Sequence, residues 1–196
     1  MEIIAHRINT VEELRQVPRE FGIELDLRDY GNDLVLQHDP FKNGELFETL
    51  LREYHHGTLI LNIKSERIEH RVLELLTKYN IQRYFFLDSS FPMINLLARE
   101  GEKKTALRYS EWEGLDTIEN FKGRAEWIWI DCFTKLPFTS NEMDKLKSWG
   151  YKTCLVSPEL QGRQQDILSY QAFLKEKGIK LDAVCTKLYN AKIWQE

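Results

Sequence analysis

A repeated alternation of short apolar, β-rich runs with segments of helical periodicity most constrains the fold of this chain. The segments between the runs place apolar residues at helical spacing, as in residues 66–80 and 163–178. Strands that alternate with helices indicate an α/β architecture with a parallel sheet. The runs predicted as strands are residues 2–7, 22–28, 58–64, 84–90, 104–110, 127–133, 152–157 and 182–188.

Eight such strands without a Gly/Ser-rich linker predict a single closed (β/α)8 TIM barrel that spans residues 1–196 as one domain. An open doubly wound sheet is the alternative architecture. The chain is shorter than the ~250 residues typical of the barrel, so we expect short loops and some minimal helices. Residues 33–39 are predicted as an extra short strand after the turn at 30–33, and Thr10 with Glu13 as a capping box.

Composition and charge argue against several classes of function. The net charge is -4, so there is no basic footprint for nucleic acid, and no apolar run approaches the ~20 residues of a membrane span. The N-terminal residues have no signal-peptide pattern, and the three cysteines have no zinc-ligand spacing. We therefore expect buried free thiols in a cytoplasmic protein; the oligomeric state is left open.

Most of the predicted strands begin apolar and finish polar. In a barrel the carboxyl ends of all strands open onto one face, where active sites are built. The polar strand ends therefore predict an active site at this face of the barrel in addition to the fold. The polar residues at these ends are His6, Arg7, Asp26, Arg28, Asn62, Lys64, Asp88, Ser89, Ser90, Arg108, Asp131 and Lys187.

Glu24 and Asp26 lie two residues apart on the second strand, so their carboxylates project to the same side. A bound divalent cation would relieve their repulsion, and an oxygen-rich site suits Mg2+ or Ca2+. Spacing alone is equally compatible with a solvated face or an ion pair with Arg28. Taken together with His6 and His38, the two carboxylates suit acid–base chemistry at a metal-bound phosphate.

Three motifs in the first third of the chain, IAHR at 4–7, GIELDL at 22–27 and LVLQHDP at 34–40, resemble the N-terminal signature of the glycerophosphodiester phosphodiesterase family. Weaker matches follow in the same order at LNIK (61–64), SSF (89–91) and LDAVCTK (181–187). The resemblance implies a TIM barrel of the PLC-like phosphodiesterase type. It also implies cleavage of a small phosphodiester with a divalent metal, Mg2+ or Ca2+.

The resemblance assigns roles to positions of this sequence. It implies that His6 and His38 are the general acid and base, that Arg7 holds the phosphate, and that Lys64 stabilises charge on the phosphoryl oxygens. Lys187, at the end of the last strand, is placed with Arg7 and Lys64 among the substrate-binding residues. The implied metal ligands are Glu24, Asp26 and Asn62.

Several positions depart from the family pattern. Asn62 stands where the family has a metal-binding Glu, and an amide oxygen can ligate Mg2+ or Ca2+ without supplying charge. Asp88 or Asp131 could substitute for that carboxylate. Ile8 replaces a Gly, and Lys187 stands where the family has Asp. We therefore expect a substrate pocket that differs from that of a typical glycerophosphodiesterase.

Three functions remain open at this point. The first is phosphodiester cleavage, with either water or a neighbouring substrate hydroxyl as the attacking group. The second is a catalytically lapsed phosphodiesterase-like barrel that serves as a binding or regulatory protein, which Asn62 and Lys187 favour. The third is a sugar-phosphate aldolase that forms a Schiff base on Lys64 or Lys187, which leaves the paired histidines and carboxylates unexplained.

Overall fold

The computed structural model describes residues 1 to 195. Its strands share one sheet and correspond closely to the predicted runs. Strand β2 is longer than its predicted run because it continues into the antiparallel pairing with the strand that follows it. The other parallel strands are shorter than their runs, mostly because the polar residues at the end of the run leave the hydrogen-bonded ladder and enter a loop. The strands are β1 (Glu2–Ala5), β2 (Gly22–Tyr30), β3 (Asp33–Leu36), β4 (Glu45–Leu46), β5 (Leu59–Ile63), β6 (Tyr84–Leu87), β7 (Ala106–Tyr109), β8 (Trp127–Ile130), β9 (Lys152–Val156) and β10 (Ala183–Thr186).

Short helices connect the strands, as the length of the chain requires. Three 3-10 turns add to them, at Pro158–Gln161, Gln164–Asp166 and Leu188–Asn190. The helices are α1 (Val11–Leu14), α2 (Phe47–Glu53), α3 (Glu69–Lys78), α4 (Phe91–Arg99), α5 (Leu115–Asn120), α6 (Ser140–Ser148), α7 (Ile167–Glu176) and α8 (Ala191–Gln195). None of the helices in residues 1 to 195 has the length and apolar character needed to cross a bilayer.

The sheet curls so that the first and last parallel strands lie side by side. Strand β1 pairs in parallel with both β2 and β10, and the order continues through β5 and β6 on one side and β9, β8 and β7 on the other. Between β6 and β7 there is a parallel bridge from Phe86 to Thr105, and the Phe86 amide donates to the Lys104 carbonyl at 2.9 Å. This strand order differs from that of an open doubly wound sheet.

Alternation along the strands divides the apolar core into two layers. Ile23, Leu25 and Leu27 of β2 belong to the large layer between the sheet and the helices, whereas Glu24 and Asp26 face the opposite side. A smaller layer fills the concave side of the sheet and includes Ile4, Ile60, Phe85, Trp127, Trp129, Cys154 and Cys185. The polar side of β2 is therefore enclosed by the curl of the sheet.

Local features of the fold agree with the sequence in most places. The extra strand after the turn at 30–33 is present as β3 and pairs antiparallel with β2. At α1, Thr10 Oγ1 accepts from the Glu13 amide at 3.1 Å, but the Glu13 carboxylate accepts from the Asn9 amide instead of closing the predicted box on Thr10. The three cysteines are buried free thiols, as predicted. Strand β4 and helix α8 were not predicted.

Candidate active site

Two buried carboxylates lie at the centre of the site. Glu24 and Asp26 are 1% and 0% exposed, so a solvated polar face is ruled out for them. Arg28 donates to the carbonyl oxygens of Gln37 and His38, not to either carboxylate. Burial, followed by the charge of Asp26, raises the pKa of Glu24 to about 7.

Neighbouring strand ends supply hydrogen bonds to Glu24. Its Oε1 accepts from Asn62 Nδ2 at 2.7 Å, across the β2–β5 pairing that sets Asp26 beside Asn62. Its Oε2 accepts from the Arg7 amide at 2.7 Å, just beyond the end of β1. Arg7 reaches this position with a left-handed backbone, φ 58°, which is uncommon for a residue with a side chain and is found repeatedly at functional sites.

Asp26 is bound by cationic and amide groups. Asn9 clamps it from both sides: Asn9 Nδ2 donates to Asp26 Oδ2 at 3.0 Å, and the Asp26 amide donates to Asn9 Oδ1 at 2.8 Å. Arg7 Nε lies 3.3 Å from Oδ2, and Lys64 Nζ lies 3.7 Å from Oδ1. The two carboxylates are thus already faced by two cationic side chains.

The two predicted catalytic histidines lie in different environments. His6 Nε2 is 3.7 Å from Glu24 Oε2, and its Nδ1 is buried without a hydrogen-bond partner among the described residues. Burial, then the charges of Lys187 and Arg7, lowers the pKa of His6 to about 3, so its imidazole is neutral near pH 7 in the metal-free protein. This is the opposite of a satisfied core histidine.

His38 is exposed in the loop after β3. Its Nδ1 lies 2.9 Å from Asp39 Oδ1, and the hydrogen bond from His38, followed by that from Lys42, lowers the pKa of Asp39 to about 2. The loop is tied to the acidic pair because the Gln37 amide donates to the Asp26 carbonyl at 3.0 Å. His38 is therefore anchored beside β2 while its ring stays open to solvent.

A chain of ion pairs crosses the other half of the mouth. Lys64 Nζ lies 3.3 Å from Asp88 Oδ2, and the Arg108 guanidinium pairs with both Asp88 and Asp131. Asp131 also accepts from Trp129 Nε1 at 3.1 Å. Lys64, Asp88 and Asp131 directly follow β5, β6 and β8, and Arg108 is the third residue of β7, so the parallel register brings the four together.

Three solved structures share this architecture over most of the chain. A glycerophosphodiester phosphodiesterase from Agrobacterium tumefaciens strain C58 superposes with a TM-score of 0.67 at 14% identity, covering 94% of this chain and 96% of that one. A phosphodiesterase from Oleispira antarctica, in complex with the product sn-glycerol-3-phosphate, gives 0.66 at 18% identity, covering 100% and 96%. A glycerophosphoryl diester phosphodiesterase from Parabacteroides distasonis gives 0.61 at 14%, covering 94% and 81%.

The chain has the glycerophosphodiester phosphodiesterase fold. At these identities the likeness establishes the fold, which agrees with the family that the sequence motifs resemble. No family model matches the sequence, and no curated protein matches it. The chemistry of the site is therefore argued from the side chains of this chain.

A hard divalent cation fits the oxygen atoms that the phosphodiesterase fold gathers on β2 and β5. Asp26 Oδ1 and Asn62 Oδ1 are both buried and have no hydrogen-bond partner within residues 1 to 195, which is unusual for polar atoms. Carboxylate and amide oxygens are the ligands that Mg2+ and Ca2+ prefer. Glu24, Asp26 and Asn62 would hold the ion.

A third acidic ligand is missing from this set. Within residues 1 to 195 no three His, Cys, Asp or Glu side chains converge in a way that could hold a metal ion. Asp88 and Asp131, which sequence reasoning offered as replacements for the missing carboxylate, are paired with Arg108 instead. A cation held by Glu24 and Asp26 would depend on Asn62 for its third protein oxygen.

The remaining predicted residue, Lys187, follows β10 and is half-buried. Its charge is among the causes that lower the pKa of His6, so it acts on the same site. Its backbone amide donates to Glu159 Oε1 at 3.0 Å, and Thr186 Oγ1 donates to the same oxygen. Glu159 therefore fixes the loop that carries Lys187, a role that sequence reasoning missed.

Sequence reasoning also missed Asn9 and gave Arg108 no role. Asn9 stands two residues after Arg7 of the His-Arg motif, and an Asx side chain just beyond a strand end is a signal for loop hydrogen bonding. Arg108 is a cation near the end of an apolar strand, but its partners directly follow β6 and β8, so the contacts depend on the sheet order. The sequence around Asn9 therefore contains a signal for its role, whereas the sequence around Arg108 contains none.

Proposed function

We propose that the chain is a phosphodiesterase that cleaves a small phosphodiester of the glycerophosphodiester class at the mouth of a closed (β/α)8 barrel formed by residues 1–196 as one domain. The observation that carries the proposal is the convergence of His6, Arg7 and Lys64 on the buried Glu24–Asp26 pair, with contacts of 2.7 to 3.7 Å. The parallel bridge between Phe86 and Thr105 supports closure of the barrel. Buried reduced thiols support a cytoplasmic location.

The proposal includes a divalent metal, Mg2+ or Ca2+, held by Glu24, Asp26 and Asn62. When bound, such an ion neutralises negative charge on the phosphate and its transition state. The two buried oxygen atoms without hydrogen-bond partners, on Asp26 and Asn62, support this assignment.

Each remaining side chain has a role that suits its position. Arg7 and Lys64 bind the phosphoryl oxygens, because both cations lie on the rim of the acidic pair, and Lys187 adds a third cation beside His6. One histidine takes the proton of the attacking oxygen and the other protonates the leaving oxygen. The neutral, half-buried His6 suits the base, and the exposed His38, oriented by Asp39, suits the acid.

Activity assays on histidine variants test the proposal. A glycerophosphodiester would be incubated with the metal-loaded protein, and release of the phosphomonoester or of a cyclic phosphate would be measured to separate hydrolysis from cyclisation. His6→Ala and His38→Ala should each lower the rate at least about 100-fold. His70→Ala is the matched control, because His70 lies exposed on α3 and pairs with Glu100. Near-full activity in both site variants would contradict the mechanism.

A catalytically lapsed barrel that binds a phosphate ligand is the second candidate. It is favoured by the Asn62 amide, which donates to Glu24 where the family motif has a carboxylate, and by the two cations that already face Asp26. Calorimetric titration with glycerol phosphate separates the two functions. Binding without turnover of any diester, in the presence of Mg2+ or Ca2+, would favour the lapsed barrel.

The aldolase hypothesis has less support. A Schiff-base lysine must offer a free amine to its substrate. Lys64 lies 3.3 Å from Asp88 and 3.7 Å from Asp26, contacts that it would have to give up. Borohydride trapping on lysine would revive this hypothesis.

A further inference from the structure

The sheet opens between β6 and β7 towards the carboxyl ends of these strands. The two strands are joined by the bridge from Phe86 to Thr105, and no further pairing joins them within residues 1 to 195. Strand β6 ends at Leu87, and Asp88, which follows it, has a left-handed backbone with φ 59°. The parallel ladder that continues between the other strands is therefore interrupted here.

A cavity of about 390 Å³ lies at this opening, between β7 and the helices α4 and α5. Its apolar wall includes Ile94, Leu107 and Ile118, which belong to the layer between the sheet and the helices. This wall is on the helix side of the sheet, whereas Glu24 and Asp26 face the concave side. Ligand pockets in proteins have volumes of about 300 to 1,000 Å³, so the cavity is large enough for a small molecule.

A buried hydroxyl group at this cavity lacks a hydrogen-bond partner. Ser89 lines the cavity and is 8% exposed, and its Oγ has no partner among the described residues. The next residue, Ser90, differs because its Oγ donates to Glu66 Oε1 at 2.6 Å. Buried hydroxyl groups in proteins are nearly always hydrogen-bonded, so the exception calls for an explanation. A ligand in the cavity would supply a partner after rotation of the Ser89 side chain about one bond.

The charges around the cavity favour a cationic ligand. Arg108 is the only cationic side chain among the described residues that line it, and its guanidinium already pairs with Asp88, Asp131 and Glu113. Asp88 also pairs with Lys64, so these five side chains carry three negative charges and two positive ones. The side chains of Asp88 and Glu113 are 26% and 41% exposed. An anion would have to displace a carboxylate from Arg108, whereas a cation meets an excess of negative charge.

We propose that the cavity between β6 and β7 binds a small primary amine with an apolar body. The ammonium group brings the missing positive charge, and its three N–H donors suit the carboxylates of Asp88 and Glu113 and the hydroxyl of Ser89. The apolar body packs between Ile94 of α4 and Ile118 of α5. A quaternary ammonium carries the charge without an N–H donor, so the site selects a primary amine over it. The cavity is separate from the catalytic mouth and binds its ligand whether or not the barrel cleaves phosphodiesters.

Four ligands that share one apolar body test the charge and the donor separately. The probes are 2-phenylethylamine, its N,N,N-trimethyl derivative, 2-phenylethanol and phenylacetate, and their affinities are measured at pH 7 by calorimetry and saturation-transfer NMR. The amine should bind at least about tenfold more tightly than each of the other three, because only the amine combines positive charge with N–H donors. Comparable affinity for any of the other three, or no binding of the amine at about 10 mM, would overturn the proposal.

Variants at the cavity wall locate the bound amine. Glu113→Gln should lower the affinity for 2-phenylethylamine at least about tenfold, because it removes a carboxylate charge from the cavity. Glu119→Gln is the matched control, since Glu119 is 56% exposed on α5 and does not line the cavity. Thr117→Phe should block binding by filling the cavity from α5, whereas Asn120→Phe, on the same helix, should not. Wild-type affinity in both Glu113→Gln and Thr117→Phe would contradict the assignment.

A site in the catalytic mouth is distinguishable from the proposed cavity. His6→Ala/His38→Ala should bind the amine like the wild type, because neither histidine lines the cavity. Glycerol phosphate, which we expect at Arg7 and Lys64, should leave the amine bound. Loss of amine binding in the double variant, or complete competitive displacement by glycerol phosphate, would place the amine in the mouth and overturn a separate site.

Discussion

Replacing Asn62 with Asp tests whether the buried acidic pair is a cation site, because N62D adds a charge without changing the shape of the side chain. In the wild type, Asn62 Nδ2 donates to Glu24 Oε1 at 2.7 Å, and Asn62 Oδ1 has no hydrogen-bond partner in residues 1 to 195. The variant turns the donor into a third oxygen acceptor beside two carboxylates. Without metal, N62D should therefore have a lower free energy of unfolding than the wild type. Added metal should raise that free energy more in N62D than in the wild type.

The magnitude follows from the short distance between the two side chains. Two unit charges about 4 Å apart at an effective dielectric constant of about 20 interact by about 4 kcal/mol. Proton uptake limits the loss, because each unit of pKa shift costs about 1.4 kcal/mol. We expect N62D to lose about 2 to 4 kcal/mol of unfolding free energy at pH 8 in EDTA, and much less at pH 5, which lies below the raised pKa of Glu24, about 7 in the wild type. This corresponds to a melting temperature at least about 5 °C lower.

Denaturant titration with and without saturating Ca2+ measures both effects. Ca2+ should restore most of the loss in N62D, and calorimetry should show affinity at least about tenfold above that of the wild type, since the added carboxylate contributes charge to the ion. Asn80→Asp is the control, because Asn80 is exposed at the end of α3. If N62D in EDTA at pH 8 is as stable as the wild type, or if Ca2+ stabilises both equally, Glu24, Asp26 and Asn62 do not form a cation site.

The raised pKa of Glu24 predicts that metal-free wild type loses stability as the pH rises from about 4.5 to about 7, because the folded carboxyl holds its proton more tightly than the unfolded one. Denaturant midpoints in EDTA at both pH values should show this slope, and Glu24→Gln should abolish it. Arg108→Met leaves Asp131 without its cationic partner and Asp88 with Lys64 alone, and it should cost about 2 to 4 kcal/mol in the same assay; an unchanged midpoint would refute the network. Gly22→Ala places a Cβ 2.4 Å from the Thr58 carbonyl oxygen and should lower the melting temperature; a neutral effect would contradict the close strand packing.

Much of the site can be predicted from the sequence because two simple rules connect the residue pattern to the positions of the side chains. Period-two alternation places Glu24 and Asp26 on one face of a strand, and parallel topology gathers the carboxyl ends of the strands. The pairing of Asp26 with Asn62 then follows from adjacent strands. Whether that face is buried or solvated is not local information, because it depends on how strongly the sheet curls.

The features missed by sequence reasoning depend on contacts between distant segments or on very short elements. Arg108 is an ordinary strand-end cation until the order β6–β7–β8 sets it between Asp88 and Asp131. Asn9 acts on Asp26 across 17 residues of sequence. Strand β4 has two residues and α8 has five, too few to give a periodic signal.

The charges around the mouth explain why reactive groups concentrate in one sector of it. In the sector of β6 to β8, Arg108 is held by Asp88 and Asp131, so that each of these three side chains can act on a substrate only by giving up an ion pair. In the sector of β1, β2 and β5, the buried oxygen atoms of Asp26 and Asn62 have no hydrogen-bond partner among the described residues, and neither has Nδ1 of His6. Lys64 links the two sectors by pairing with Asp88 on one side and Asp26 on the other. The sector of β1, β2 and β5 therefore suits a ligand that brings positive charge to the acidic pair and negative charge to Arg7 and Lys64. A metal-bound phosphodiester brings both charges.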